Sequence, residues 1–281
     1  MTHYHVYDVF TDTPFGGNQL AVFPDASTLP EEKLQSIAAE FNFSEVTFVY
    51  PPADPAHTAK VRIFTPTSEV PFAGHPTIGT AIALRDLGHD GDMVLELGVG
   101  PITCTFNGDK AAFKTTVALQ TLATPPVDLV ARALGLQKDQ ICTHVHAPTQ
   151  ASLGLPFVLT QLRDRSALKQ CAPVTDAIRD GAAAYPAGLD FAIFAYVMSD
   201  DGVDARMFAP LDNIPEDPAT GSASAALGAM LCTVRQAPVD LNITQGQDMG
   251  RPSYITVHAD ETGVTVSGHA VQTMRGTLLA V

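Results

Sequence analysis

The chain writes one pattern twice, and any fold it adopts must accommodate both copies. The first copy reads Arg62-Ile63-Phe64-Thr65-Pro66 and then His75-Pro76-Thr77-Ile78-Gly79-Thr80-Ala81. The second reads Arg206-Met207-Phe208-Ala209-Pro210 and then Asp217-Pro218-Ala219-Thr220-Gly221-Ser222-Ala223. The five-residue parts are 206 − 62 = 144 positions apart and the seven-residue parts 217 − 75 = 142, both close to half of the 281 residues. That is the mark of an internal duplication. Each half is expected to carry a strand, a loop with a polar residue (His75 or Asp217), and a helix opened by proline, whose missing N–H costs nothing at the first helical position. On this reading His75 and Asp217 occupy the N-caps. Aspartate suits that place and histidine does not, so His75 is expected to have another task.

The helices expected after these prolines, 77–84 and 219–231, are built from Ala, Gly, Ser, Thr, Ile and Leu. Neither shows a polar face before its end, which predicts burial on all sides. A buried helix still exposes N–H groups at its start, and that end attracts anions. Two such helices related by an approximate two-fold axis can point their starts into one cleft. The plainer alternative is a pair of small-residue packing helices with ordinary caps.

A chain of 29.7 kDa with 46% apolar and 16% charged residues is long enough for two medium domains with a substantial core. We place the linker at Thr124-Pro125-Pro126, giving domains 1–122 and 123–269 with central helices 76–86 and 218–232, and with a final strand 270–281 returning to the first. The net charge of 16 − 30 = −14 argues against nucleic acid and anionic membranes as partners. An anionic substrate remains open, because a helix start can override the global charge locally. Cys104, Cys142, Cys171 and Cys232 form no CxxC pair, and scattered thiols fit a reducing compartment. The apolar stretch 191–198 is too short to span a bilayer, and the start of the chain lacks a basic and apolar leader. A cytoplasmic protein is expected.

Strands are expected at 4–10 and 19–23, joined by the turn residues Thr13-Pro14-Phe15-Gly16-Gly17-Asn18. Asn18 reads as a turn residue or a substrate contact. A helix follows from about 30 to 40, then a strand 46–50. Glu45, flanked by Phe43, Val46 and Phe48, is either an exposed loop residue or a partly buried carboxylate, and burial would raise its pKa into the range of a useful acid and base. Further strands are expected at 61–65, then a meander at 92–97, 102–106 and 111–117. The second half reads as a helix 127–135, strands 141–146 and 156–162, a short helix 164–170, a central strand 191–198, and strands 205–208, 239–245, 254–259, 263–268 and 272–279. His144 and His146 would share one face of a strand, but no third ligand is near, so no metal site is expected. Many strands with one buried helix per half make an α+β arrangement. No GxGxxG, Walker loop, HExxH or GxSxG is present.

Several of these stretches together resemble the phenazine biosynthesis PhzF-like isomerase family. They are Gly17-Asn18, Asn42 with Ser44-Glu45-Val46-Thr47-Phe48-Val49, Arg62 to Pro66, Pro71-Phe72-Ala73-Gly74-His75-Pro76, Glu216 to Ala223, Gln245-Gly246 with Gly250-Arg251-Pro252-Ser253, and Val266-Ser267-Gly268. The resemblance implies the diaminopimelate-epimerase-like fold: two pseudo-symmetric domains, each a curved, mostly antiparallel sheet around a central helix, with the active site between them. The epimerase relatives carry a cysteine at each central helix start. Ala73-Gly74-His75 and Asp217-Pro218-Ala219 hold none, which sets a two-cysteine racemase mechanism aside in favour of the PhzF-like branch. That branch implies Glu45 as the catalytic carboxylate, with His75 and Asp217 facing it across the cleft. The implied reaction uses no cofactor: Glu45 takes a proton from one carbon of a small carboxylic acid and returns it to another. The substrate carboxylate would lie on backbone N–H groups near Gly74-His75 and Gly221-Ser222, with Asn18 as a further contact. The acid is cyclic and unsaturated in the case of dihydro-hydroxyanthranilate. A metabolite-binding protein on the same scaffold and a cofactor-independent amino-acid racemase are the alternatives. A homodimer is also implied.

Overall fold

The computed structural model describes residues 1–187, 191–199 and 202–279. The chain divides into two compact units, Met1–Thr115 with Thr265–Val281, and Thr116–Val264. The first unit runs through β1 (Thr2–Val9), β2 (Asn18–Phe23), α1 (Leu34–Phe41), β3 (Glu45–Tyr50), β4 (Ala59–Phe64), β5 (Glu69–Val70), α2 (Gly74–Asp86), β6 (Met93–Leu97), β7 (Gly100–Asn107) and β8 (Lys110–Thr115). The second runs through β9 (Gln120–Ala123), α3 (Val127–Ala133), β10 (Thr149–Ser152), β11 (Pro156–Gln161), α4 (Arg165–Gln170), α5 (Thr175–Ala184), β12 (Ile193–Ser199), β13 (Gly202–Ala209), β14 (Ile214–Asp217), α6 (Gly221–Arg235), β15 (Val239–Gln245) and β16 (Ser253–Asp260). The chain leaves it within β17 (Gly263–Gly268), and β18 (Ala270–Leu278) belongs to the first unit again. Ala280 and Val281, the end of the expected final strand, lie outside the described residues.

Each unit pairs its strands in the same succession. In the first, β18–β1 and β1–β2 are antiparallel, β2–β3 parallel, β3–β4 antiparallel, β4–β6 parallel and β6–β7 antiparallel. In the second, β9–β10 and β10–β11 are antiparallel, β11–β12 parallel, β12–β13 antiparallel, β13–β15 parallel and β15–β16 antiparallel. Parallel neighbours need a crossover. α1 supplies it between β2 and β3, and α4 with α5 between β11 and β12. These helices cover the outer face of each sheet, α1 over Phe23, Phe48 and Phe64, and α3 with α5 over Val158, Ile193 and Phe208. Strands buried on both faces read as apolar runs rather than alternations, as in Phe191 to Val197.

The inner face of each sheet takes the central helix. α2 touches β1, β2, β3, β6, β8 and β18, strands from across the whole sheet, so the sheet curls round it. Gly74 to Leu84 are all buried. α6 lies in the same way on β10, β11, β15 and β16. Among the described residues, no helix is long and apolar enough to cross a membrane.

Several expectations are corrected. His75 is not an N-cap: Ala73 is, with extended backbone, and His75 is the second helical residue with Pro76 third. Asp217 ends β14, and the helix expected from residue 218 begins at Gly221 behind the N-cap Thr220. The expected linker at Thr124-Pro125-Pro126 lies inside the second unit, because β9 just before it pairs with β10. The strand expected at 141–146 is reduced to a single bridge, Ile141 with Leu162. His146 leaves the strand path to bond the Tyr196 hydroxyl at 2.6 Å through Nε2 and the Ala147 carbonyl through Nδ1. Helix α5 went unexpected because Thr175–Ala184 holds one large apolar residue, Ile178. Its packing rests instead on Gly181, where a Cβ would stand 2.4 Å from the Phe191 ring.

The register of the duplication also changes. Arg62 pairs bidentately with Glu69 (2.8 and 2.7 Å) and lies over the Phe64 ring. Arg206 pairs in the same way with Glu216 (2.8 and 2.7 Å) and lies over Phe208. The glutamates are 216 − 69 = 147 positions apart. The same offset relates Pro71 to Pro218, the N-caps Ala73 and Thr220, and the helix starts Gly74 and Gly221. Gly98 is held against Pro71 and Gly246 against Pro218, each too close to admit a Cβ. His75 therefore matches Ser222, and Asp217 matches Val70.

Candidate active site

In the first unit, α1 ends at Asn42, whose left-handed backbone (φ 52°) turns the chain into β3 at Glu45. Parallel pairing sets Glu45 opposite Leu20, near the start of β2. Glu45 and Thr47 share a face of the strand, about 6.6 Å apart along it. His75 and Thr80 are about 7.5 Å apart along α2. The spacings match closely enough for both pairs to meet: the Thr80 hydroxyl donates to Thr47 Oγ1 at 3.0 Å, and His75 Nδ1 lies 3.2 Å from Glu45 Oε2. Asn18, the first residue of β2, brings Nδ2 to 3.4 Å from the same His75 nitrogen. Gly17 before it turns with φ +59°, where a Cβ would meet the Val9 carbonyl at 2.4 Å. Asn18 is thus a strand residue beside His75 rather than part of the turn.

The His75 side chain is 4% exposed and that of Glu45 16%. Burial pushes the imidazole down to about 3, against a hydrogen bond with the Gln19 backbone that raises it. His75 is therefore neutral near pH 7. Its Nε2 is buried without a hydrogen-bond partner among the described residues. The first intrahelical donor of α2 is the Thr77 N–H, bonded to Ala73 O. The N–H groups of Gly74 and His75 precede it, with no carbonyl one turn back to accept them. The result is a sheltered carboxylate, a neutral imidazole and helix-start donors in one cluster, a set able to move a proton and hold an anion.

In the second unit, Asp217, Gly221 and Ser222 gather at the start of α6. The Thr220 hydroxyl donates to Asp217 Oδ2 at 2.6 Å. Gln245, fully buried at the end of β15, donates from Nε2 to the Asp217 carbonyl (2.7 Å) and to Thr220 Oγ1 (3.0 Å), and accepts from the Thr220 N–H (3.1 Å). The Ser224 N–H is bonded to Thr220 O, so the Gly221 and Ser222 N–H groups precede the first intrahelical donor. Thr220 and Gln245 lie in stretches that carry the resemblance, but sequence reasoning assigned them no role in the site. The available signal was a glutamine ending a strand whose other alternate residues, Val239, Leu241 and Ile243, are core.

A family model described as phenazine biosynthesis-like protein matches residues 7–276. The chain belongs to that family. It is 37% identical over 299 residues to an uncharacterized isomerase of Mesorhizobium japonicum, covering 98% of each. It is 34% identical over 276 residues to the trans-2,3-dihydro-3-hydroxyanthranilate isomerase of Pseudomonas aeruginosa, covering 95% of this chain and 94% of the relative. Its fold is similar to that of a PhzF-family protein of Bacillus anthracis, with a TM-score of 0.87 at 23% identity over 99% of each chain. The relatives are named isomerases, and this PhzF-family chain is an isomerase. Its fold is of the diaminopimelate-epimerase-like kind, a mostly stranded sheet around a central helix in each unit.

Proposed function

We propose that this isomerase moves a proton between two carbons of a small unsaturated carboxylic acid, without a cofactor, and that Glu45 carries the proton. The observation behind this reading is the contact between the sheltered Glu45 carboxylate and the neutral His75 imidazole beside the open N–H groups of α2. Glu45 takes a proton from a C–H next to an activating group. The electron pair left behind shifts the double bond, and the proton returns at the far carbon of the conjugated system, so atoms and charge balance. A neutral His75 lies 3.2 Å from the carboxylate, and its Nε2, without a hydrogen-bond partner among the described residues, can take or give a proton. It adds no fixed positive charge that would hold Glu45 ionised. The N–H groups of Gly74 and His75, with the Asn18 amide, bind the substrate carboxylate. From the second unit, Asp217 acts as a further proton-handling group, and Gly221 and Ser222 offer N–H groups of the same kind.

The substrate class rests on the similarity to trans-2,3-dihydro-3-hydroxyanthranilate isomerase. The test is turnover of that compound in deuterated water, with the isomerised product and the origin of the hydrogen at its new C–H position read by mass spectrometry. Isomerisation by the wild type, with substrate hydrogen retained to the extent that Glu45 returns it before exchanging with solvent, and loss of isomerisation in Glu45→Gln are the expected results. Binding without isomerisation in both proteins would point to a metabolite binder, and loss of optical rotation in a chiral amino acid to a racemase. We further propose a homodimer working in the reducing cytoplasm, where four free cysteines persist. Light scattering should give twice the 29.7 kDa chain mass, and a monomer mass would refute the dimer.

A further inference from the structure

The two central helices start from corresponding turns, built with different chemistry. In the first unit the turn and the strand end beside it carry Val70, Ala73 and Leu97. In the second, the places 147 residues on from Val70 and Ala73 hold Asp217 and Thr220, and Gln245 ends β15 as Leu97 ends β6. The match at the strand end is fixed by Gly98 and Gly246, each pressed on its own proline. Three positions that are apolar in the first unit are thus polar in the second, and the three polar side chains bond to one another. The succession of strand end, proline and helix start does not need them, since the first unit makes it without them, although the N-cap ψ differs, 144° at Ala73 and 87° at Thr220.

The bonds run in one direction. The Thr220 N–H can only donate and the Asp217 carbonyl can only accept, so together they fix the Gln245 amide, Oε1 toward the first and Nε2 toward the second. With Nε2 also donating to Thr220 Oγ1, the hydroxyl proton is turned to the Asp217 carboxylate. We infer that Gln245 is a positioning residue for Asp217: its amide sets the direction of the Thr220 hydroxyl and so holds the carboxylate in one orientation. This rests on the reading of Asp217 as part of the reaction machinery. Gln245 touches no reacting atom and acts through Thr220.

The test uses the full-length protein with trans-2,3-dihydro-3-hydroxyanthranilate as the probe. Thermal unfolding of each variant first establishes that it is folded. Gln245→Leu and Thr220→Ala install the residues of the first unit. Gln245→Glu is the near-isosteric variant, retained in case the leucine is too unstable. Each should lower kcat about tenfold or more while KM stays within about threefold, the mark of a lost transition-state interaction. Added to Asp217→Asn, none should lower kcat further. In Gln245→Glu, lowering the pH until that carboxyl is protonated restores a donor, so activity should recover on an acidic limb that the wild type lacks. A kcat within twofold of wild type, or equal losses with and without Asp217, would overturn the inference. Full activity in Asp217→Asn would instead sink the reading of Asp217, and the positioning role with it. If the wild type does not turn over the probe, a crystal structure of Gln245→Leu decides: Asp217 Oδ2 still at 2.6 Å from the Thr220 hydroxyl refutes positioning, and a rotated carboxylate supports it.

Discussion

The buried imidazole of His75 gives the protein a measurable dependence on pH. In the unfolded chain a histidine titrates near 6.5, and in the folded protein burial holds His75 down at about 3. Between these values the unfolded state binds a proton that the folded state refuses, so stability falls as the pH drops below 6.5. At pH 8 both states are neutral and the contribution vanishes. At pH 5 the gap is 6.5 − 5 = 1.5 units, or about 2 kcal/mol at 1.36 kcal/mol per unit. The side chain is 4% exposed, so solvent screening removes little of this. The perturbation is His75→Gln, which keeps polar reach without a titrating ring. The assay is urea unfolding of both proteins at pH 8 and pH 5. The wild type should lose about 2 kcal/mol more than the variant between the two. The competing arrangement follows from Glu45, which lies 3.2 Å away. A charged imidazolium paired with Glu45 would raise the folded value, and the wild type would then gain stability on the variant toward pH 5. That outcome, or equal pH slopes, would refute the neutral imidazole.

Glu45→Gln should lower kcat about a thousandfold, within the range general acid–base catalysis supplies, with a much smaller change in KM; steady-state kinetics on the dihydro-hydroxyanthranilate probe checks it, and wild-type kcat would remove Glu45 from the reaction. Arg206→Ala should cost about 3 kcal/mol in urea unfolding, because it strands Glu216 and the Leu168 and Cys171 carbonyls, whereas Arg62→Ala should cost about 1, its partners Glu31 and Glu69 being well exposed. Equal losses at the two arginines would contradict the difference in their burial. Gly246→Ala should cost about 3 kcal/mol, and Gly250→Ala about 1, although both have φ near +74°. Only at Gly246 does the new Cβ meet backbone, the Arg251 carbonyl at 2.3 Å and the Pro218 carbonyl at 2.7 Å. Matching losses would show that conformation alone sets the cost.

How far the sequence could be read depended on what kind of signal each residue gave. Strand alternation placed β6, β7, β15 and β17 within a residue or two, because one face of each is core and the other is not. Uniformly apolar helices were legible as buried, and Glu45 stood out as a carboxylate between aromatic and aliphatic neighbours. α5 was not legible because its packing depends on Gly181 making room for Phe191, a contact no periodicity records. The hardest feature was the register of the repeat. A proline after His75 and a proline after Asp217 suggested an offset of 142, yet those prolines do different work. Pro76 lies inside α2, and Pro218 precedes the N-cap of α6 by two residues. The correct offset was written in the residues just before, Glu-x-Pro-x-x-Gly at Glu69 and again at Glu216, each glutamate waiting for the arginine of its own half. Once that register is adopted, His75 corresponds to Ser222 and Asp217 to Val70. The halves are alike in backbone and unlike in acid–base chemistry: one holds a neutral base beside a carboxylate, the other a carboxylate tethered through a threonine to a buried amide. A duplicated scaffold that kept its helix starts and arginine–glutamate pairs while differing at these few positions would, on the proposed function, separate folding from catalysis, and the variants that copy one half's residues into the other test that separation directly.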